Sequence, residues 1–353
     1  MGSCAGPPKH PSRPFASGCS SKDLRLRIAA YISALLGLAL LVTLVASTDF
    51  AGMVRTLELG GWRLLWLVPY RALFFILYAI GWLYLLRPYD PGRHAGLGYI
   101  FWVTTVRDSI DRLLPVASVG GGAAAVRLLR WRGLAAAPIG ATVIVEILLT
   151  LSVSYLFTAV GLLLLSELNA TGLEYRRLLL AFLITLPVPA VTALLLRYGS
   201  VFKRLQKLLL PLVGKSALTQ GAEALDHELH ACFRRGRRLL LAGTLQFAAL
   251  LSASFEIWFA LRVFGHPVGA DSALILESMT QAIRHVAFVV PAGLGVQEAG
   301  LVIFGHALGI SGELALAVSM TKRLREALWG LPSLMSWQWL EGRRLRVLAR
   351  KPS

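Results

Sequence analysis

Long apolar runs separated by short basic segments dominate the chain. Six runs reach the roughly 20 mostly apolar residues that a helix needs to cross about 30 Å of hydrocarbon: residues 28–48, 64–86, 137–165, 178–196, 239–264 and 314–340. Two further stretches, 99–126 and 273–311, are apolar on average but interrupted near the middle. They contain RDSIDRLLPVASVGGGAAAV and MTQAIRHVAFVVPAGLGVQEAG, with breaks marked by Pro115, Gly121, Gly122, Pro291, Gly293 and Gly295. Each half is too short to cross alone, so the pattern predicts two hairpins of half-helices, each entering and leaving on one side. Irregular backbone at membrane depth must be buried in protein or line a wet cavity, because lipid satisfies none of its polar groups. The expected fold is an all-α polytopic membrane protein with about six transmembrane helices and two broken re-entrant hairpins. A polar basic tail (1–24) precedes the membrane domain (25–345), a second basic tail (346–353) follows it, and 28–48 reads as a retained signal anchor.

The placement of charge then orients the helices. Segments 1–27, 87–98, 127–136, 197–238 and 341–353 hold 5, 2, 3, 9 and 5 Lys or Arg, 24 of the 36 in the chain. The segments alternating with them are poor in positive charge, so both termini are expected in the cytoplasm. With that orientation the two hairpins open to opposite sides. Pro115 and Pro291 stand 176 residues apart, and Glu146 and Arg323 follow them by 31 and 32 residues. An inverted repeat follows as the expectation, with halves of about 62–165 and 238–340 joined by a cytoplasmic amphipathic connector at 197–238. Secondary transporters commonly use this plan, since rocking one half against the other alternates access to a midplane site.

Composition agrees and adds one problem. Hydrophobic residues make up 56% and charged residues 16%, against about 25% charged in soluble domains, which argues against a soluble enzyme. The net charge of +17 is mostly the cytoplasmic collar, which faces anionic head groups and needs no nucleic acid partner. The problem is the charge left inside apolar stretches, where each group costs about 2.5–3.5 kcal/mol even on insertion scales. Arg112, Glu146, Arg284, Glu298, Arg323 and Glu326 are the candidate substrate-binding residues, with Arg71, Asp108, Asp111, Glu256 and Glu277 as secondary candidates; Arg107 and Arg325 belong to the same set. They must pair, line water or hold a ligand. Asp108 and Arg112 are spaced i, i+4, and Glu277 and Arg284 share a helix face seven residues apart.

Other motifs are weaker. DHELH around His227 and His230 reads as a solvated helix, His285 and His306 as satisfied polar helix residues with proton carriage as the alternative, and Asn169-Ala170-Thr171 as an outer-side sequon. The stretch 200–215 has the alternation of an interfacial amphipathic helix. Cys4, Cys19 and Cys232 form no disulfide or metal framework, and no metal, nucleotide or other cofactor motif is present.

VPAGLGVQEAG (290–300) is similar to the Pro-Gly-Gly-Leu-Gly-x-x-Glu signature of the flippase-like family that includes the transmembrane region of lysylphosphatidylglycerol synthases. RLLPVASVGG, the Glu at 146 and TKRLREALWGLPSLMSWQWLEGRRL resemble its hopanoid-biosynthesis-associated branch. The resemblance spans about 25–345. It implies a multi-pass protein of a bacterial inner membrane that moves, or presents for modification, an amphiphilic lipid such as a hopanoid or its conjugate. Membrane lipids, hopanoid or anionic, are the implied partners, and hopanoid or lipid-modifying enzymes are possible ones. Gly122 stands where relatives often carry an acid, whereas Glu298 keeps it in the second half. No soluble aminoacyl-transferase domain is expected, and the activity that the resemblance then implies is flippase-type transport; the alternative is a membrane enzyme or accessory subunit in hopanoid-lipid conjugation.

Overall fold

A computed structural model describes residues 60–113, 120–167, 173–199, 217–286 and 295–349, with isolated positions 55, 58 and 290. The predicted span 28–48, the tail 1–24, the sequon at 169–171, the stretch 200–215, residues 350–353 and the break residues Pro115, Pro291 and Gly293 lie outside the described residues.

A 3₁₀ turn (Gly61–Trp66) leads into α1 (Leu67–Leu86), and α2 (Leu97–Leu113) and α3 (Gly120–Arg130) follow. Helix α4 (Ala136–Glu167) runs 32 residues, about 48 Å at 1.5 Å per residue. Next come α5 (Leu173–Thr185), α6 (Pro187–Tyr198) and α7 (Ala217–Phe233). The chain ends on α8 (Gly236–Val263), α9 (Ala270–Val286), α10 (Val296–Ala307) and α11 (Gly312–Ala349). Among the described residues four segments are long and apolar enough to cross a membrane: Gly61–Tyr89, Ala136–Glu167, Leu179–Tyr198 and Gly236–Val263. These match four of the six predicted runs. The sixth run is the continuous helix α11, whose 38 residues are ample in length but carry Lys322, Arg323, Arg325 and Glu326 in the middle. The run read as one span at 178–196 is divided at Leu186, because Pro187 opens α6 and has no N–H to continue α5.

The two interrupted stretches are helix pairs, α2 with α3 and α9 with α10, and each pair packs arm against arm. Their arms have 17, 11, 17 and 12 residues, about 16–26 Å, so none spans 30 Å alone. Gly121 and Gly122, expected at the first break, instead stand in the first turn of α3.

Packing between the halves is reciprocal. Helix α1 lies against α8, α2 against α11, and α4 against α9. Exchanging α1–α4 with α8–α11 leaves this set of neighbours unchanged. Helices α5, α6 and α7 fall outside the exchange; α6 and α7 pack on α4 and on each other.

Apolar packing is concentrated in separate clusters. One joins Trp82, Leu86, Ile100, Leu128 and Ile139 from the first half, and another joins Ile257, Leu276, Leu301 and Leu316 from the second. A third, with Phe75, Phe157 and Leu250, bridges α1, α4 and α8. Along α11 the order is informative: residues 315–318 belong to the second cluster, 322–326 carry charge, and Leu334 belongs to the first cluster.

Polar structure at the ends is local. In the turn after α1, the Asp90 carboxylate accepts the backbone N–H groups of His94 (2.9 Å) and Ala95 (2.8 Å). Burial alone would raise its pKa, but those donors and the His94 ring outweigh it and hold the carboxyl below its usual range. Burial pushes the Cys232 thiol up, with its Sγ 3.2 Å from the Tyr89 hydroxyl. Asp226, within DHELH, is buried where α7 docks on α4, so that helix is only half solvated.

Candidate functional site

Charged groups inside the helix bundle form ion pairs, and those around Glu326 join into one connected set, with Arg107–Glu146 and Lys322–Glu277 as separate pairs. Arg71 on α1 donates to Glu256 on α8 at 3.3 Å, and Arg325 on α11 donates to the same carboxylate at 2.8 Å. Arg107 on α2 pairs with Glu146 on α4. Arg112 Nε lies 2.8 Å from both Asp108 oxygens, and its Nη1 lies 2.6 Å from Glu326 on α11. Arg323 donates to Glu298 on α10 at 2.9 Å and to Glu326 at 3.3 Å. Lys322 on α11 donates to Glu277 on α9 at 2.6 Å.

Burial makes these pairs consequential. Glu298 is 0% exposed, Glu256 and Glu277 are 1%, and Arg325 is 3%. A carboxylate that deep loses its hydration, and removing one partner of such a pair costs about 3–5 kcal/mol because the other charge is stranded. Glu326 is the junction of the set. It contacts Arg112 from the first half and Arg323 and Arg325 from the second. Beside it a small recess, of about 10 Å³, opens among Arg71, Asp108, Arg112, Arg325 and Trp329.

Each half also repeats one link with its signs exchanged. In the first half the hairpin arm α2 supplies the cation Arg107 and the closing helix α4 supplies the acid Glu146. In the second half the arm α9 supplies the acid Glu277, and the closing helix α11 supplies the cation Lys322.

The structure departs from the sequence expectations at three places. Glu277 and Arg284 share a face but do not pair, since Glu277 is taken by Lys322 and by Gln281 Nε2 at 2.9 Å. Lys322, 7% exposed, was absent from the expected set. Its signal was present in the sequence: it lies 176 residues after Glu146, the separation of the two prolines. Asp111 accepts the Gly121 N–H at 3.0 Å and so serves the N-terminus of α3 instead of an arginine. Around Arg284 stand Arg112, Glu326, Asp108 and Arg323, yet it makes no hydrogen bond or ion pair among the described residues. His285 Nε2 lies 3.0 Å from Ser154 Oγ on α4, and His306 closes α10. Among the described residues no three His, Cys, Asp or Glu side chains gather as a metal site.

An all-helical bundle with segments that can cross a membrane and ion pairs buried between its helices defines a polytopic membrane protein. Residues 28–330 match the family model described as the lysylphosphatidylglycerol synthase transmembrane region, and the chain belongs to that family. No curated protein and no solved structure matches the chain. Family membership relates it to lipid handling.

Proposed function

We propose that the protein moves an amphiphilic lipid across the bilayer, the two halves rocking around the charged set between them. The candidate cargo is a hopanoid or a hopanoid conjugate, the membrane a bacterial inner membrane, and the partners are membrane lipids and the enzymes that modify them. The observation that supports this most is the position of the charges. A bundle that needed only stability would place apolar residues there, since well-packed hydrophobic side chains often match or exceed a buried ion pair. Here fourteen ionisable groups lie in the apolar stretches of the described helices, and links such as Arg112–Glu326 and Arg71–Glu256 join one half to the other.

Such links suit alternating access. A head group entering between the halves can replace Glu326 as the partner of Arg112, so that Arg112 is not stranded when the halves separate. The lipid tail stays in hydrocarbon while the polar part passes along the ion pairs, and the inverted repeat provides two mirror states of similar energy.

Reconstituted protein tests this. A fluorescent head-group-labelled lipid in proteoliposomes, scored by dithionite protection, is expected to exchange leaflets with wild type and to fall at least about tenfold with Glu298→Gln or Arg323→Ala. Unchanged exchange with both variants removes the site assignment. Exchange no faster than in protein-free vesicles, across anionic, zwitterionic and hopanoid lipids, removes the transport reading.

A further inference from the structure

Two of the seams between the halves, α2 against α11 and α4 against α9, share one register. In the α4–α9 seam a Cβ on Gly161 would fall on Ser278 Oγ. Seven residues further along α9, and seven back along α4, His285 Nε2 lies 3.0 Å from Ser154 Oγ. In the α2–α11 seam Trp102 Nε1 donates to Ser336 Oγ at 2.9 Å, and a Cβ on Gly330 would lie 3.5 Å from Ser109 Cβ. The 176-residue separation of the two prolines carries Ser109 onto His285 and Ser154 onto Gly330. The pair His285–Ser154 therefore stands in one seam where Ser109–Gly330 stands in the other.

The two places are furnished differently. Ser109 and Gly330 border the recess of about 10 Å³ that Arg71, Arg112 and Glu326 also line. At the matching level of the other seam a half-buried imidazole reaches across from one half to the other, among the buried hydroxyls of Ser154, Thr158 and Ser278. A side chain needed only to fill that seam could be apolar. Histidine is the side chain whose unperturbed charge changes between about pH 5 and pH 8.

The charged groups that act on the ring are both cations, Arg284 beside it in the chain and Arg112 on α2. The interior carboxylates of α9 and of the helices packed against it are engaged elsewhere. Glu277 of α9 is held by Lys322, Glu146 of α4 by Arg107, Glu256 of α8 by Arg71 and Arg325, and Glu298 of α10 by Arg323. His306 stands at the far end of α10. A proton on His285 in the closed seam thus puts a second cation beside Arg284 with no carboxylate to spare. Water that enters when α4 and α9 part weakens that repulsion, so gaining the proton and opening the seam favour each other.

We infer that His285 is the binding site of a coupling ion, a proton, taken from water on one side when α4 and α9 part and returned to water on the other when α2 and α11 part. Arg112, on the α2–α11 seam, acts on the same ring, which places the ring where the two seams meet. The imidazole gains and loses that proton alone, and no other bond changes over the cycle. By the positive-inside rule the ends of the α4–α9 seam at Glu167 and Ala270 are expected outside, so the proton is expected to enter from there. The inference rests on the transport reading and gives it an energy source.

Spin labels test the seam without any lipid moving. Glu167→Cys and Asp271→Cys, both at exposed positions, mark its outer end in a background with the native cysteines replaced. Double electron–electron resonance in detergent micelles is expected to show a longer-distance population that grows at least about threefold from about pH 8 to about pH 5.5, a range in which histidine titrates. With His285→Gln, whose amide can keep the bond to Ser154, that growth should vanish. With Ser154→Ala, which removes the bond and keeps the ring, the longer distances should already be present at the higher pH. A wild type that does not respond, a folded His285→Gln that still responds, or a Ser154→Ala variant indistinguishable from wild type overturns the proposal. In proteoliposomes a pH gradient should drive the labelled lipid to an unequal distribution between leaflets with wild type, and only to an equal one with His285→Gln. An equal distribution with wild type overturns the coupling. A seam that responds to pH through His285 in a protein that exchanges no lipid supports the proton site and removes only the transport reading.

Discussion

Lys322 shows at the scale of one side chain what holds a charge among these helices. It is 7% exposed, its ammonium lies 2.6 Å from Glu277, and Glu277 is 1% exposed. Removing the cation alone strands that carboxylate, so Lys322→Met should lower stability by about 3–5 kcal/mol, read from unfolding in detergent micelles. Adding Glu277→Gln to Lys322→Met should recover most of the loss, because the amide can keep its contact with Gln281 and carries no charge. Strictly additive losses would mean that the pair does not carry the energy. The same residue marks where reading the chain stops. Hydropathy placed the charged positions inside apolar runs, and spacing alone joined Asp108 to Arg112, a pair within one helix. Glu277 and Lys322 are 45 residues apart on different helices, and nothing local selects that partner over Arg284, seven residues from Glu277 and on its own helix.

At the scale of elements, the first hairpin depends on a contact made by one glycine and not by its neighbour. A Cβ on Gly121 would lie 2.5 Å from Asp111 Oδ2 and 2.7 Å from the Arg107 carbonyl oxygen, and the carbonyl is backbone that has little room to move. On Gly122 the nearest atom would be Val143 Cγ1 at 3.4 Å. Gly121→Ala is therefore expected to push α3 from α2, break the Asp111 cap and cost about 1–3 kcal/mol. Gly122→Ala is expected to be neutral or to stabilise by up to about 1 kcal/mol through helix propensity. Melting temperatures of the two variants check this, and equal effects would remove the close-approach argument. Both glycines are legible in the sequence as small residues at the break; the structure sets them in the first turn of a helix, and the Asp111 carboxylate and Arg107 carbonyl opposite Gly121 explain its size. The division of the run 178–196 at Pro187 was visible as a proline; hydropathy averaged over it, because both α5 and α6 are apolar.

For the whole molecule, the decisive question is which side each hairpin opens to. Arms of about 16–26 Å do not cross 30 Å, and both arms of each pair pack together, so the two ends of a hairpin belong on one side. By the positive-inside rule the basic residues Arg127, Arg130 and Arg132, at and just after the end of α3, are expected to hold the first hairpin's ends on the cytoplasmic side. Helix α8 then carries the chain across, so the second hairpin should open outward. Single cysteines at four exposed positions in a background with the native cysteines replaced resolve this: His94 and Arg132 flank the first hairpin, and His266 and Ser311 flank the second. In intact spheroplasts a membrane-impermeant maleimide should label His266→Cys and Ser311→Cys, while His94→Cys and Arg132→Cys should label only after the membrane is opened. Labelling of Arg132→Cys from outside would make α2 and α3 together a full crossing. It would also reverse every later segment, and the charged set would then lie between two halves of the same orientation, which could not exchange inward-open and outward-open states by rocking.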